Sequence, residues 1–183
     1  AVPFFSGRKL IHRDIQEVVD EIEYLRYKRG VGEIQIFDDI FNVNLRFAKD
    51  LLREIIRRKI DIVWKAPVGF WVLVYDEEFL ELLAKSGCYQ VGFGIESGDA
   101  QILEGVNKHT AGKIHSTVPE ILAKYKKYGI STFGFFILGL PGESPQTIKK
   151  TIKYACKLPL DHVNVSLYTP YPGSPLYQLA KDK

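Results

Sequence analysis

Residues 131–145 have the sequence STFGFFILGLPGESP, which combines a strand, a turn and a helix start. Its first eight residues are mostly apolar, which is typical of a strand that is covered on both faces. The glycines and proline of GLPGE then end the strand. Ser144 and Pro145 are a typical helix start, an N-cap followed by proline at the first helical position. Together these features predict one β-α unit of a parallel sheet.

The same order of elements recurs along the whole chain. Apolar periodicity predicts five helices, each followed by a strand. The helices are expected at 15–28, 45–56, 76–85, 110–128 and 145–155, and the strands at 33–37, 60–65, 89–95, 131–138 and 162–167. Strict alternation predicts an α/β domain over 1–183 with a parallel sheet and right-handed crossovers. Because such a domain starts with a strand, we expect a first strand upstream of Ala1.

Composition and charge narrow the classes of function. The chain has 25 Lys+Arg against 22 Asp+Glu, and a net charge of +3 does not favour nucleic acid as a partner. The longest uncharged run, 130–142, is shorter than the roughly 18 residues that a membrane span needs. No signal peptide pattern precedes the first helix. Two cysteines cannot form a dense disulfide framework, so we expect a reducing, cytoplasmic compartment.

In parallel α/β folds, ligands bind at the carboxyl ends of the strands. The residues that end the five predicted strands are therefore the candidate site. They comprise acids, one cation, glycines and an aromatic residue, a set that suits an amphoteric ligand with ribose hydroxyls and an aromatic base. The candidates are Asp38, Asp39, Lys65, Glu96, Ser97, Gly139 and Tyr171.

Four motifs in this order resemble the radical S-adenosylmethionine (SAM) superfamily, in the part that follows its iron–sulfur motif. The resemblance covers nearly the whole chain, and a matching helix with Arg13 and EVVDEI precedes the four motifs. The motifs are FDDIF at 37–41, GIESG at 94–98, FILGLPGE at 136–143 and TPYPGSPLY at 169–177.

The resemblance implies a fold, a cofactor set and a chemistry. The family has a partial (β/α)6 TIM-like barrel, which here lacks its first strand and cluster loop. Three cysteines in C-x3-C-x2-C hold a 4Fe–4S cluster, and reductive cleavage of SAM there yields a radical. An electron donor such as flavodoxin or ferredoxin is implied as a partner. Cys88 and Cys156 do not form this motif, so the resemblance places the cluster ligands outside this chain.

The resemblance also assigns roles to the candidate residues. Asp38 or Asp39 meets the amino group of SAM, and Glu96 with Ser97 contacts the ribose hydroxyls or the methionine moiety. Gly139 brings backbone close to the adenosine, and Tyr171 stacks on adenine. Two alternatives remain open from the sequence: Ser97 as a plain helix cap, and Lys65 as a solvated lysine rather than a partner of a carboxylate at the rim.

Within the superfamily, the motifs look most like the cobalamin-dependent methyltransferases and cyclase-like members. This subgroup adds cobalamin as a second cofactor and an upstream cobalamin-binding domain as a partner. The substrate is not specified by the sequence. A second hypothesis is a non-catalytic α/β barrel that has lost the cluster and acts as a binding or scaffold module. The presence or absence of a cluster motif before Ala1 distinguishes the two.

Overall fold

The computed structural model of the chain describes residues 10–106, 111–172 and 177. The predicted helix start at Thr110 and positions 173–176 of the last motif lie outside the described residues. In chain order the elements are α1 (Ile15–Arg29), β1 (Glu33–Gln35), α2 (Leu45–Arg57), β2 (Val63–Phe70), α3 (Glu77–Lys85), β3 (Cys88–Glu96), α4 (Ala100–Gly105), α5 (Ala111–Lys127), β4 (Ser131–Leu138), α6 (Pro145–Lys157) and β5 (His162–Leu167). Helix α4, which Asp99 caps, was not predicted.

The five strands form one parallel sheet in the order β1-β2-β3-β4-β5. The sheet curls into half of a barrel, which confirms the predicted partial TIM-like α/β fold. Sequential order follows from right-handed β-α-β connections between neighbouring strands. As a result, the loops that follow β1 to β5 all lie along one edge of the sheet, which we call the carboxyl edge.

The second strand is longer and lies later in the chain than predicted. The apolar run 60–65 suggested a strand that stops before Pro67, whereas β2 continues to Phe70. Its pairing with β3 shifts in register between Ala66 and Phe70. Proline is tolerated in strands at such irregularities, because no ladder hydrogen bond is needed there. Lys65 therefore lies inside β2 and does not end it.

The helices cover the outer face of the sheet, and a row of aromatic rings forms the centre of this layer. Phe70 packs against Phe41, Phe79 and Phe93 with ring centroids 5.3, 6.1 and 6.2 Å apart. Phe93 meets Tyr125 edge to face at 5.1 Å. These contacts join α3, α5 and the loop after β1 to the strands β2 and β3. Among the described residues, no helix has the length and apolar character that crossing a membrane requires.

Candidate functional site

The loop after β1 carries Asp38 and Asp39, and both side chains are exposed. The Asp39 amide donates to Asp38 Oδ1 over 3.0 Å, so the loop already uses one oxygen of Asp38. The loop rests on the end of β2, where the Phe41 amide donates to the Gly69 carbonyl over 2.7 Å. A Cβ atom on Gly69 would lie 2.1 Å from the Asp38 carbonyl oxygen. Glycine at 69 thus allows the two backbones to meet.

Asn42, a buried side-chain amide, joins the loop after β1 to the loop after β2. Its Nδ2 donates to the carbonyls of Trp71 and Val74 over 2.8 and 2.6 Å, and its Oδ1 accepts from the Trp71 amide at 2.8 Å. Asn42 is fully buried, so these bonds replace the water that the amide and the loop would otherwise need. The sequence analysis missed Asn42, because a polar residue after a strand resembles any loop residue.

Glu96 ends β3 in a backbone conformation that is uncommon for a residue with a side chain. Its φ is +70°, which costs a non-glycine residue roughly 1–2 kcal/mol. The register between β3 and β4 shifts between Gly94 and Glu96. Such irregularities redirect a side chain at the end of a strand and are frequent beside active sites. Glu96 therefore lies at the carboxyl edge, and its contact with a ligand stays a prediction.

Ser97 turns away from this edge into the helical layer. It is fully buried, and its Oγ lies 3.0 Å from Thr151 Oγ1 on α6 and accepts from the Asp99 amide over 3.1 Å. The expectation that Ser97 contacts a ligand is therefore not supported. The cap of the following helix is Asp99, whose Oδ1 accepts from the amides of Gln101 and Ile102.

Asp99 gives this region a dependence on pH. The hydrogen bond from Lys150 lowers the pKa of Asp99, so the unfolded chain binds more protons at that group. The contribution of Asp99 to the free energy of unfolding is present above about pH 4, the pKa of an unfolded Asp. It is lost as the pH falls through the lowered pKa of the folded state. Asn at a helix N-cap keeps the cap but loses the charge. In Asp99→Asn we expect the free energy of unfolding to fall less steeply than in the wild type between about pH 6 and pH 3.

Urea denaturation of the 183-residue chain at several pH values measures this difference. Asp50→Asn is the matched control, because it removes one carboxylate from an exposed ion pair with Arg53. A pH profile of Asp99→Asn that coincides with that of the wild type would contradict the prediction.

The turn after β4 is shaped by Glu143. Its Oε2 accepts from the amides of Gly139 and Leu140 over 2.5 and 3.1 Å, and Gly139 has a φ of +83°. Its Oε1 is shielded from solvent and has no hydrogen-bond donor among the described residues. Gly139 itself is exposed at the carboxyl edge, directly after β4. The turn thus presents backbone and a buried acceptor oxygen.

Tyr171 lies beyond β5, and its side chain is 67% exposed.

A cavity of about 420 Å³ lies between α1, α2 and β1, and Asp38 is among its lining residues with His12, Arg13 and Gln35. Glu96, Gly139 and Tyr171 do not line this cavity. All the candidates except Lys65 lie at or just after the ends of strands along the carboxyl edge.

Lys65 forms a separate cluster away from the carboxyl edge. Its Nζ lies 2.9 Å from Glu33 Oε1 and 5.6 Å from the centroid of the Tyr89 ring, and the Tyr89 hydroxyl donates to the same Glu33 oxygen. The bond from Lys65, followed by that from Tyr89, lowers the pKa of Glu33. Since Glu33 begins β1, this group sits near the amino ends of the strands. The expectation that Lys65 lies at the rim is wrong.

The face of β4 opposite the helices carries aromatic side chains that the sequence analysis did not single out. Phe133 lies 4.9 Å from Phe135 and 5.7 Å from His162 of β5, measured between ring centroids. Gly92 of β3 leaves room here, since a Cβ atom would lie 3.0 Å from the Phe135 ring. Because side chains alternate between the two faces of a strand, the positions of these aromatic residues along β4 could have indicated this face.

The two cysteines do not form a metal site. Cys88 is buried at the start of β3, and burial raises the pKa of its thiol. Cys156 is exposed near the end of α6. The described residues contain no group of three or more His, Cys, Asp or Glu side chains that could hold a metal ion.

Sequence comparison agrees with this geometry. Residues 3–155 match the radical SAM superfamily. An uncharacterized methyltransferase of Pyrococcus horikoshii is 33% identical over 174 residues, which cover 95% of this chain and 37% of the relative. Cytidylyl-2-hydroxyethylphosphonate methyltransferase of Streptomyces wedmorensis is 34% identical, over 94% of this chain and 33% of the relative. The chain therefore spans about a third of the length of the curated relatives it matches.

Among solved structures, a similar one is TsrM of Kitasatospora setae, a radical SAM methyltransferase with cobalamin and a 4Fe–4S cluster bound. It has a TM-score of 0.80 and 26% identity, and the match covers 93% of this chain and 34% of TsrM. A second TsrM structure, with tryptophan substrate and the SAM analogue aza-SAM, has a TM-score of 0.74 and 27% identity, over 85% of this chain and 30% of TsrM. With the matched profile and the shared half-barrel, these results establish that the chain belongs to the radical SAM superfamily.

Proposed function

We propose that this chain is the SAM-binding core of a cobalamin-dependent radical SAM methyltransferase. The observation that carries the proposal is the carboxyl edge of the sheet, which presents Asp38, Asp39, Glu96 and the turn at Gly139. The methyltransferase activity named for the relatives, and the cobalamin and cluster bound by TsrM, support this choice within the family.

The residues at this edge fit SAM. Its amino group and ribose hydroxyls are hydrogen-bond donors, and carboxylates are strong acceptors for them. Asp39 would accept from the amino group and Glu96 from the ribose hydroxyls. Glu143 holds the turn through which Gly139 would approach the adenosine, and its Oε1 is a buried acceptor without a described donor. Tyr171 offers an exposed ring for adenine.

The residues of this chain do not fit the 4Fe–4S cluster. A cluster that leaves one iron open for SAM needs three thiolates on one loop. Cys88 is buried with a raised thiol pKa, and both cysteines lie away from the carboxyl edge. We therefore propose that the ligands are cysteines of a longer polypeptide that contains these 183 residues. SAM bound at such a cluster is a source of a methyl group or of a 5′-deoxyadenosyl radical.

This function has consequences for partners and location. Reductive cleavage needs an electron donor of the flavodoxin or ferredoxin class, and we propose a cytoplasmic location because such chemistry needs a reducing compartment. An upstream cobalamin-binding domain would complete the enzyme.

Iron and sulfide assays on two proteins test the proposal. After anaerobic reconstitution, the 183-residue chain is expected to hold no cluster and to cleave no SAM, because it has two distant cysteines. The longer polypeptide with its C-x3-C-x2-C motif is expected to hold a cluster and cleave SAM. Replacing Cys88 and Cys156 by Ala in it should leave its iron content unchanged.

Three results would contradict the proposal. One is a stoichiometric cluster in the 183-residue chain, and another is loss of the cluster from the longer protein when Cys88 and Cys156 are replaced. The third is a longer polypeptide without any cluster motif, which would favour the non-catalytic scaffold hypothesis instead.

A further inference from the structure

Thr151 lies on α6, is buried, and contacts the loop that directly follows Glu96. Its Oγ1 accepts from the Gly98 amide over 3.0 Å and lies 3.0 Å from Ser97 Oγ. Ser97 Oγ in turn accepts from the Asp99 amide. One hydroxyl on a neighbouring helix thus bonds to the Ser97 hydroxyl and to the Gly98 amide, in the two residues after Glu96.

The loop and the helix are also in tight contact. A Cβ atom on Gly98 would lie 2.7 Å from the Tyr154 Cβ and 2.8 Å from the Thr151 Cα, so only glycine allows this approach. On the other side of the loop, Lys150 of the same helix donates to Asp99 Oδ2 over 2.9 Å. Helix α6 therefore fixes residues 97–99 at three successive positions.

Glu96 is the residue that this attachment affects. Its φ of +70° is one that residues with side chains rarely adopt, and such conformations persist only when the surroundings enforce them. The bonds at 97 and 98 hold the backbone that follows Glu96, and the position of this backbone limits the directions that the Glu96 side chain can take. Resting on the proposed function of Glu96, we propose that Thr151 is a positioning residue that orients Glu96 toward SAM.

Thr151→Val removes the hydroxyl and keeps the shape of the side chain, whereas Thr151→Ser keeps the hydroxyl. The assay is the dissociation constant of SAM, measured by equilibrium dialysis on the cluster-containing longer protein. We expect Thr151→Val to weaken binding about tenfold and Thr151→Ser to stay within about twofold of the wild type. Cluster content, from iron and sulfide assays, is expected to be unchanged in both variants.

A double-mutant cycle with Glu96→Ala separates positioning from general destabilisation. If Thr151 acts through Glu96, Thr151→Val should have no further effect on SAM binding once Glu96 is Ala. Thr147→Val is the matched control, because Thr147 belongs to the capping box at the start of the same helix. It should lower the thermal stability without weakening the affinity for SAM.

The outcomes distinguish this inference from the proposed function. Unchanged SAM affinity in Glu96→Ala would refute the role of Glu96 itself. If Glu96→Ala weakens binding, then unchanged affinity in Thr151→Val, or an equal loss in both backgrounds, would overturn the role of Thr151. Should Thr151→Val fail to fold, Ser97→Ala decides the question, since it removes the hydroxyl beside Thr151 and leaves the bond to Gly98. It is expected to weaken SAM binding about threefold, and wild-type affinity would overturn the inference.

Discussion

Gly69→Ala is expected to lower the free energy of unfolding of the 183-residue chain by about 4 kcal/mol, a large share of the stability of a typical domain. Two effects add at this position. The φ of +84° disfavours any side chain, and the new Cβ atom would lie 2.1 Å from the Asp38 carbonyl oxygen. The Asp38 oxygen belongs to the backbone and a Cβ atom is fixed to it, so neither can rotate away, and the loop after β1 must move away from the end of β2.

Gly30→Ala is the matched control for Gly69→Ala. Gly30 has a similar φ of +71°, but a Cβ atom there meets nothing within 4 Å. Its substitution therefore reports the backbone conformation alone and is expected to cost about 1 kcal/mol. Urea denaturation followed by circular dichroism measures both variants. An equal loss in the two would show that the close approach at Gly69 contributes nothing.

Separation of these loops would also affect the site. Asn42 spans the same gap with three hydrogen bonds, which depend on residues 71–74 staying in place. A buried amide that loses its partners costs roughly 1–3 kcal/mol. The loop with Asp38 and Asp39 is therefore held by backbone contact and by a buried side chain, and its geometry depends on β2 as much as on β1.

Much of the architecture could be predicted because the relevant signals are local. Ser144 caps a helix as expected and forms a capping box with Thr147, and Asp76 caps the helix that was predicted to begin there. Apolar strands in strict alternation with helices leave few topologies other than a sequential parallel sheet. Once that topology is known, the positions of Asp38, Asp39, Glu96 and Gly139 at one edge follow from where the strands end.

The remaining features depend on contacts between distant segments. Pro67 suggested that the second strand ends before it, but the irregular pairing of β2 with β3 tolerates proline at this position. The strand therefore continues to Phe70, and Lys65 lies inside it. Ser97 follows a strand, as a ligand-binding residue often does, but its hydroxyl is buried against Thr151 on α6, which is distant in the sequence. The positive φ of Glu96 likewise coincides with a register shift between β3 and β4, which depends on pairing with a distant segment.

Asp39→Asn is expected to weaken SAM binding to the cluster-containing longer protein between about tenfold and a hundredfold. Within residues 10–106 and 111–172, the Asp39 carboxylate makes no described hydrogen bond or ion pair, whereas Asp38 Oδ1 accepts from the Asp39 amide. The free carboxylate is the better acceptor for an ammonium group, and a bond between the two charged groups is stronger than one to a neutral amide. Equilibrium dialysis with labelled SAM measures the loss.

Two comparisons make this result specific to the amino group. Asp38→Asn removes the neighbouring charge and is expected to change the affinity by no more than about threefold, since Asp38 serves mainly the loop. 5′-Methylthioadenosine has the adenosine of SAM without its amino group, so its affinity should be the same in Asp39→Asn as in the wild type. A larger loss of SAM affinity in Asp38→Asn than in Asp39→Asn would mean that Asp38, and not Asp39, binds the amino group. An equal loss for both ligands in Asp39→Asn would mean that Asp39 shapes the loop and does not bind the amino group.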